Sequence, residues 1–142
     1  MLRRFRRGFT LLELMIVVVV IAILASFAMY NYGRYAFRAR RTDGREMLMR
    51  VAAAQERFFT NFNIYSGSLT DDAASGGLAF ANGDSDNKNY AVTVALTNGG
   101  ASYTLTAAPQ NAQATDVCGS LTLTDTGIKG ATGSPTANGP CW

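Results

Sequence analysis

Residues 6–30 read RRGFTLLELMIVVVVIAILASFAMY, and this stretch organises everything after it. From Leu14 to Tyr30 there is no charge, no Gly and no Pro. With Phe9 to Leu12 added, the run approaches the roughly 20 apolar residues that an α-helix needs to cross a bilayer. Arg3, Arg4, Arg6 and Arg7 precede it, which predicts a cytoplasmic N-terminus and an exported remainder. One acid, Glu13, interrupts the start of the run, and a carboxylate at membrane depth is costly unless it finds a partner. A cleaved signal peptide is an alternative, with Ala22 and Ala25 imitating its small-residue cleavage site.

Charge is distributed in blocks. Seven arginines lie between Arg34 and Arg57 against Asp43, Glu46 and Glu56, whereas beyond Arg57 two lysines face six aspartates. The formal net charge of +3 therefore hides a basic tip, an apolar span, a basic stem and an acidic head. Such a distribution does not make one basic face for nucleic acid. Arg38, Arg40, Arg41 and Arg45 are nonetheless the candidate contacts for phosphate, or for lipid headgroups or an acidic surface.

The helical pattern continues past the span. Leu48, Val51, Gln55, Phe58 and Phe62 recur at spacings of three and four, and Met47, Ala52, Ala54 and Phe59 widen that face. This predicts one helix to about Asn61, roughly 80 Å long at 1.5 Å per residue. Gly44 marks a mild bend in it. Tyr30, Tyr32, Tyr35 and Phe37 are expected as an interfacial aromatic belt or as helix-packing groups.

Residues 63–89 are rich in Gly, Ser, Asn and Asp and read as a long connection anchored by Leu69, Leu78 and Phe80. The run Asp84-Ser85-Asp86-Asn87 lacks the full spacing of a calcium loop, so solvated turns are expected there. Tyr90, Val92, Val94 and Leu96 alternate with small or hydroxylated residues, Asn98-Gly99-Gly100 signals a turn, and Tyr103 and Leu105 alternate again. This predicts an antiparallel hairpin, with a further strand at Leu121 and Leu123. The class is α+β, with a long helix packed on a small antiparallel sheet.

Two cysteines, Cys118 and Cys141, are present, and there is no histidine. In an exported domain they pair as a disulfide, worth about 3 kcal/mol for a loop of this length, and two buried thiols are the alternative. No metal or cofactor is expected. Without histidine or a glycine-rich phosphate loop, the scattered Ser, Asp and Lys residues do not assemble a catalytic site, and Ser66 and Ser120 read as loop and sheet residues.

The run Arg6-Arg7-Gly8-Phe9-Thr10-Leu11-Leu12-Glu13-Leu14 resembles a type IV prepilin. The resemblance implies a leader over residues 1–8, cleavage between Gly8 and Phe9, N-methylation of Phe9, and assembly through Phe9 and Glu13. It also implies a membrane and assembly half over 9–33, an amphipathic stem over 34–62, and a head over 63–142 in the ladle fold. The ending, Cys118-Gly119-Ser120-Leu121-Thr122-Leu123 to Cys141-Trp142, resembles PilE-type minor pilins of Gram-negative bacteria, in which the cysteines bracket a C-terminal loop. Many pilins carry a glycine within the membrane half and a proline near its end, where this chain has Ala22 and Tyr30, so a more continuous helix is expected.

The function implied is a structural subunit of a type IV pilus, a minor pilin incorporated after leader cleavage and N-methylation, aiding assembly, twitching motility, adhesion or DNA uptake. The implied partners are a prepilin peptidase and methyltransferase, major and minor pilins, and the inner-membrane assembly platform. The implied location is the inner membrane with a periplasmic head, then the extracellular pilus. A major pilin, a type II secretion pseudopilin and a DNA- or surface-binding module are the alternatives.

Overall fold

A computed structural model describes residues 9–134 and 139–142, with backbone alone at residues 29–31. Gly8 and the rest of the leader lie outside the described residues, as does the side chain of Tyr30. The chain divides between Arg34 and Tyr35 into two units.

Helix α1 runs Leu11–Phe62. At its start the Thr10 hydroxyl accepts from the Glu13 backbone N–H at 3.2 Å, and the Thr10 carbonyl accepts from Leu14 N–H. Thr10 is therefore the N-cap, and Glu13 at the third helical position lies in the turn where a negative charge is favoured. In the first unit the apolar side chains are exposed, from Leu11 at 78% to Phe27 at 69%. The apolar window of α1 is not buried within the chain, and it is long and apolar enough to cross a membrane. At the far end Asn63 adopts φ 57° and donates its N–H to the Phe59 carbonyl, which stops the helix.

In the second unit four strands follow: β1 Tyr90–Thr97, β2 Ser102–Pro109, β3 Leu121–Thr124 and β4 Lys129–Ala131. They form one antiparallel sheet in the order β1-β2-β3-β4. Val92 faces Ala107, Leu105 faces Leu123, and Ala107 faces Leu121. Alternation sends these residues with Tyr90 and Tyr103 to one face, where they close on Met47, Leu48 and Val51 of α1 to make the core. The pattern is legible because one face is buried and the other is covered with threonine and alanine.

Strand β4 is not anticipated by pattern, since Lys129-Gly130-Ala131 has no β-branched residue. It forms because the turn through Asp125-Thr126-Gly127 returns the chain, with Gly127 at φ 78° and Thr124 N–H donating to the Ile128 carbonyl. Gly130 gives its neighbour room, because a Cβ there would lie 2.6 Å from Thr122 Oγ1 and oblige that hydroxyl to turn away. The Trp142 indole N–H donates to the Gly130 carbonyl, and Lys129 Nζ sits 5.4 Å above the Trp142 ring.

The helical stripe is also refined. Leu48, Val51, Gln55 and Phe58 are buried, but Phe62 is 48% exposed and stacks on Phe58. Gly44 supplies room: a Cβ there would lie 2.7 Å from the ring of Tyr90, which is fully buried. Gly44→Ala therefore drives a methyl into a ring that cannot swing away. Overpacking of this kind costs about 1–3 kcal/mol, partly offset by alanine's better helix propensity of about 1 kcal/mol. The expected net loss is about 0–2 kcal/mol in thermal unfolding of the detergent-solubilised chain, and a gain in stability would refute this packing role.

Candidate functional site

The four arginines proposed as surface contacts do not share one environment. Arg41 is corrected from that set. Its guanidinium is fully buried and bidentate to Asp116, with Nε to Oδ2 and Nη2 to Oδ1 both at 2.7 Å. Nη1 reaches the Pro140 carbonyl at 3.0 Å and the Gly139 carbonyl at 3.4 Å. The hydrogen bonds to Asp116 hold the Arg41 pKa above its ordinary value, so the charge stays on. Arg45, one turn further along, spends Nη2 on the Cys141 carbonyl at 2.8 Å and is half-buried. Arg38 is exposed, although its guanidinium packs within 3 Å of where a Gly139 Cβ would stand, and Arg40 is half-buried. Arg38 and Arg40 keep their place as surface candidates, whereas Arg41 and Arg45 grip backbone carbonyls 139–141.

That grip seats the end of the described chain beside the disulfide. Cys118 and Cys141 are bonded, with Cα atoms 5.6 Å apart, and both sulfurs belong to the core. Asp116 also accepts from Gln113 Nε2 at 2.8 Å, and Gln113 Nε2 reaches Tyr90 Oη at 3.0 Å. Helix, β1 and the connection between β2 and β3 thus meet in one buried polar cluster: Arg41, Tyr90, Gln113 and Asp116. Asp116 and Gln113 escape sequence reasoning because nothing in the linear pattern distinguishes a buried aspartate from a turn aspartate.

A second clamp holds the long connection. Asp43, almost fully buried, accepts from Ser85 Oγ at 2.6 Å, Asn89 Nδ2 at 2.9 Å, and both the N–H and Nδ2 of Asn87. The run Asp84-Ser85-Asp86-Asn87, expected as solvated turns, is instead folded onto a helix carboxylate with Ser85 buried, and Asp86 pairs with Arg50 at 2.9 Å. Among the described residues no group of three metal-ligating side chains comes together. Gln55 acts similarly, exchanging two hydrogen bonds with the Ser66 backbone at 2.7 and 2.9 Å.

Burial pushes the Asp43 carboxyl up, but the hydrogen bonds from Ser85, Asn89 and Asn87 together hold it below its ordinary value. A carboxyl depressed in the folded state contributes stability that is fully present above the unfolded pKa of about 3.9 and is lost as pH falls through the folded value. Asp43→Asn cannot accept from all these donors, so about 1–3 kcal/mol of destabilisation is expected at neutral pH. The gap to wild type should narrow below about pH 4. Trp142, the single tryptophan, reports it by fluorescence, and a gap constant with pH would exclude the carboxylate as the cause.

A family described as "Type IV minor pilin ComP, DNA uptake sequence receptor" matches residues 31–122, and the prokaryotic N-terminal methylation motif matches residues 3–29. The chain belongs to the type IV pilin family.

Two relatives illustrate the likeness of this pilin to others. The type IV major pilin PilA of Myxococcus xanthus is 42% identical over 60 residues, covering 42% of this chain and 27% of that protein. Fimbrial protein EcpC of Eikenella corrodens is 33% identical over 99 residues, covering 70% and 62%. The match thus spans less than two thirds of either relative's own length. In fold, this pilin is similar to a type IV pilin of Shewanella oneidensis, with a TM-score of 0.52 at 24% identity over 75% of this chain and 97% of that one. The minor pilin PilV of Neisseria meningitidis gives 0.53 at 23% identity over 74% and 95%.

Proposed function

We propose that this pilin is a structural subunit of a type IV pilus, cut between Gly8 and Phe9, methylated at Phe9 and inserted into the filament by its N-terminal helix. The observation that carries this reading is the apolar window of α1, unburied within the chain and headed by Phe9, Thr10 and Glu13. Lipid covers it before assembly, with the head in the periplasm, and neighbouring pilins cover it in the extracellular filament. Its partners are the prepilin peptidase and methyltransferase, major and minor pilins, and the inner-membrane assembly platform.

Cleavage places a new ammonium four residues from the Glu13 carboxylate. Pairing between them, within a subunit or across neighbours, sets register more than it adds stability. Removing one member of such a pair costs several kcal/mol, so Glu13→Gln should lower recovery in sheared filaments about tenfold or more. Wild type is expected there with methylated Phe9 as its first residue. Wild type absent from filaments sinks the reading, and normal recovery of Glu13→Gln sinks the role of the acid.

Within this reading the minor-subunit assignment is favoured by the description of the matched family. Subunit ratios in purified pili separate it from a major pilin and from a type II secretion pseudopilin. DNA contact through the stem is a second reading, supported by that description and by the placement of Arg38 and Arg40. Neutralising both should weaken DNA binding and flatten its salt dependence, while filament recovery is unchanged.

A further inference from the structure

Asn-Gly pairs occur at 82–83, 98–99 and 138–139, and Asn138 lies outside the described residues. We propose that Asn98 is a site of spontaneous deamidation and that the fold withholds the same chemistry from Asn82. In this step the Gly99 backbone nitrogen loses its proton and attacks Asn98 Cγ. The Cγ–Nδ2 bond breaks, and Nδ2 leaves with that proton as ammonia. Water then opens the resulting succinimide at either carbonyl, leaving aspartate or isoaspartate at position 98. Glycine permits this because it has no side chain to obstruct its own nitrogen.

The two pairs differ in what must move first. Asn98 and Gly99 form the exposed tip between β1 and β2, at φ 52° and 67°, and a Cβ on Gly99 would meet nothing within 4 Å. The Asn98 amide reaches Ser102 Oγ at 3.5 Å, the outer limit of a hydrogen bond. Opening this tip costs that contact and the 3.3 Å hydrogen bond from Ala101 N–H to the Asn98 carbonyl, and segments with few buried contacts open at low free energy.

Asn82 is stitched to β1 instead. Its Oδ1 accepts from Asp84 N–H at 3.0 Å, and Asp84 bridges to Ala91. The Gly83 carbonyl accepts from Val92 N–H at 2.7 Å, and a Cβ on Gly83 would lie 2.7 Å from the Val92 carbonyl oxygen. Bringing Gly83 nitrogen onto Asn82 Cγ therefore requires the covered edge of β1 to open first. The inference is independent of the filament reading, since it needs only the folded second unit.

The test incubates the detergent-solubilised full chain in mildly alkaline buffer, folded and in urea, and follows tryptic peptides 58–88 and 89–129. Mass spectrometry with isoaspartate-specific enzymatic methylation locates the product. In the folded chain, position 98 should react at least about fivefold faster than position 82, a difference of about 1 kcal/mol in opening. In urea the two rates should converge. G99A, whose methyl meets nothing within 4 Å but hinders the nucleophile, should slow position 98 while leaving position 82 unchanged, at a cost of about 1–2 kcal/mol for alanine in the left-handed turn. The proposal is overturned if position 82 reacts as fast in the folded chain, if the preference persists in urea, or if position 98 stays intact while the unfolded chain reacts there.

Discussion

Asp116→Ala should be the most damaging single substitution in the second unit, costing about 3–5 kcal/mol. The carboxylate is the bidentate partner of a guanidinium with no exposed surface, and its loss strands a charge that cannot reach water. It also takes the acceptor of Gln113 Nε2. With domain stabilities of about 5–15 kcal/mol, a loss of this size lowers the melting temperature by more than about 10 °C. Trp142 fluorescence in the detergent-solubilised chain reads it directly. Arg41→Met combined with Asp116→Leu should recover part of the loss, because an apolar pair removes both desolvation penalties. Recovery stays incomplete, since the carbonyls of Pro140 and Gly139 lose their donor. A shift under about 1 kcal/mol for Asp116→Ala would mean that Arg41 finds water after all.

Replacing Cys118 and Cys141 with alanine ranks second. The bridge closes a separation of 23 residues, and removing it should cost about 3 kcal/mol through the gain in unfolded-chain entropy. The expected state is nonetheless folded in the absence of denaturant. Arg41 and Arg45 hold carbonyls 139, 140 and 141 without help from sulfur, and Trp142 is bonded to β4. Native Trp142 fluorescence in dilute buffer, with an earlier unfolding midpoint, is the predicted pair of results. Unfolded fluorescence before any denaturant is added would show that the bridge organises the segment rather than reinforcing it. Combining this change with Asp116→Ala should cost more than either change alone, since the carboxylate and the bridge sit two residues apart and both fix the chain leading into β3.

Particular elements show why parts of the molecule were readable in advance. The stem of α1 past the apolar span, the hairpin over Tyr90–Pro109 and the strand at Leu121–Thr124 each repeat a period set by backbone geometry, 3.6 or 2 residues, so burial leaves a mark in the order of residues, whereas the span itself is legible from its length and apolar composition. β4 left no such mark because its three residues are held by a turn, a glycine and an indole from a distance. The arginines divided for the same reason. Arg38 and Arg41 are three residues apart on one helix and chemically identical, yet whether each meets solvent or a buried carboxylate depends on where residues 116 and 139–141 return.

The order of residues alone determined the apolar helix with its N-terminal acid, the N-terminal methylation motif, the α+β class and the two cysteines available to pair. Tertiary structure alone decided which polar groups become structural: Asp116 beneath Arg41, Asp43 beneath residues 85–89, Gln55 against Ser66, and Gly44 under the ring of Tyr90. Local periodicity encodes the side of an element that is buried, but the partner of a buried polar group is supplied by chain far away in sequence, and that pairing exists only once the core has closed.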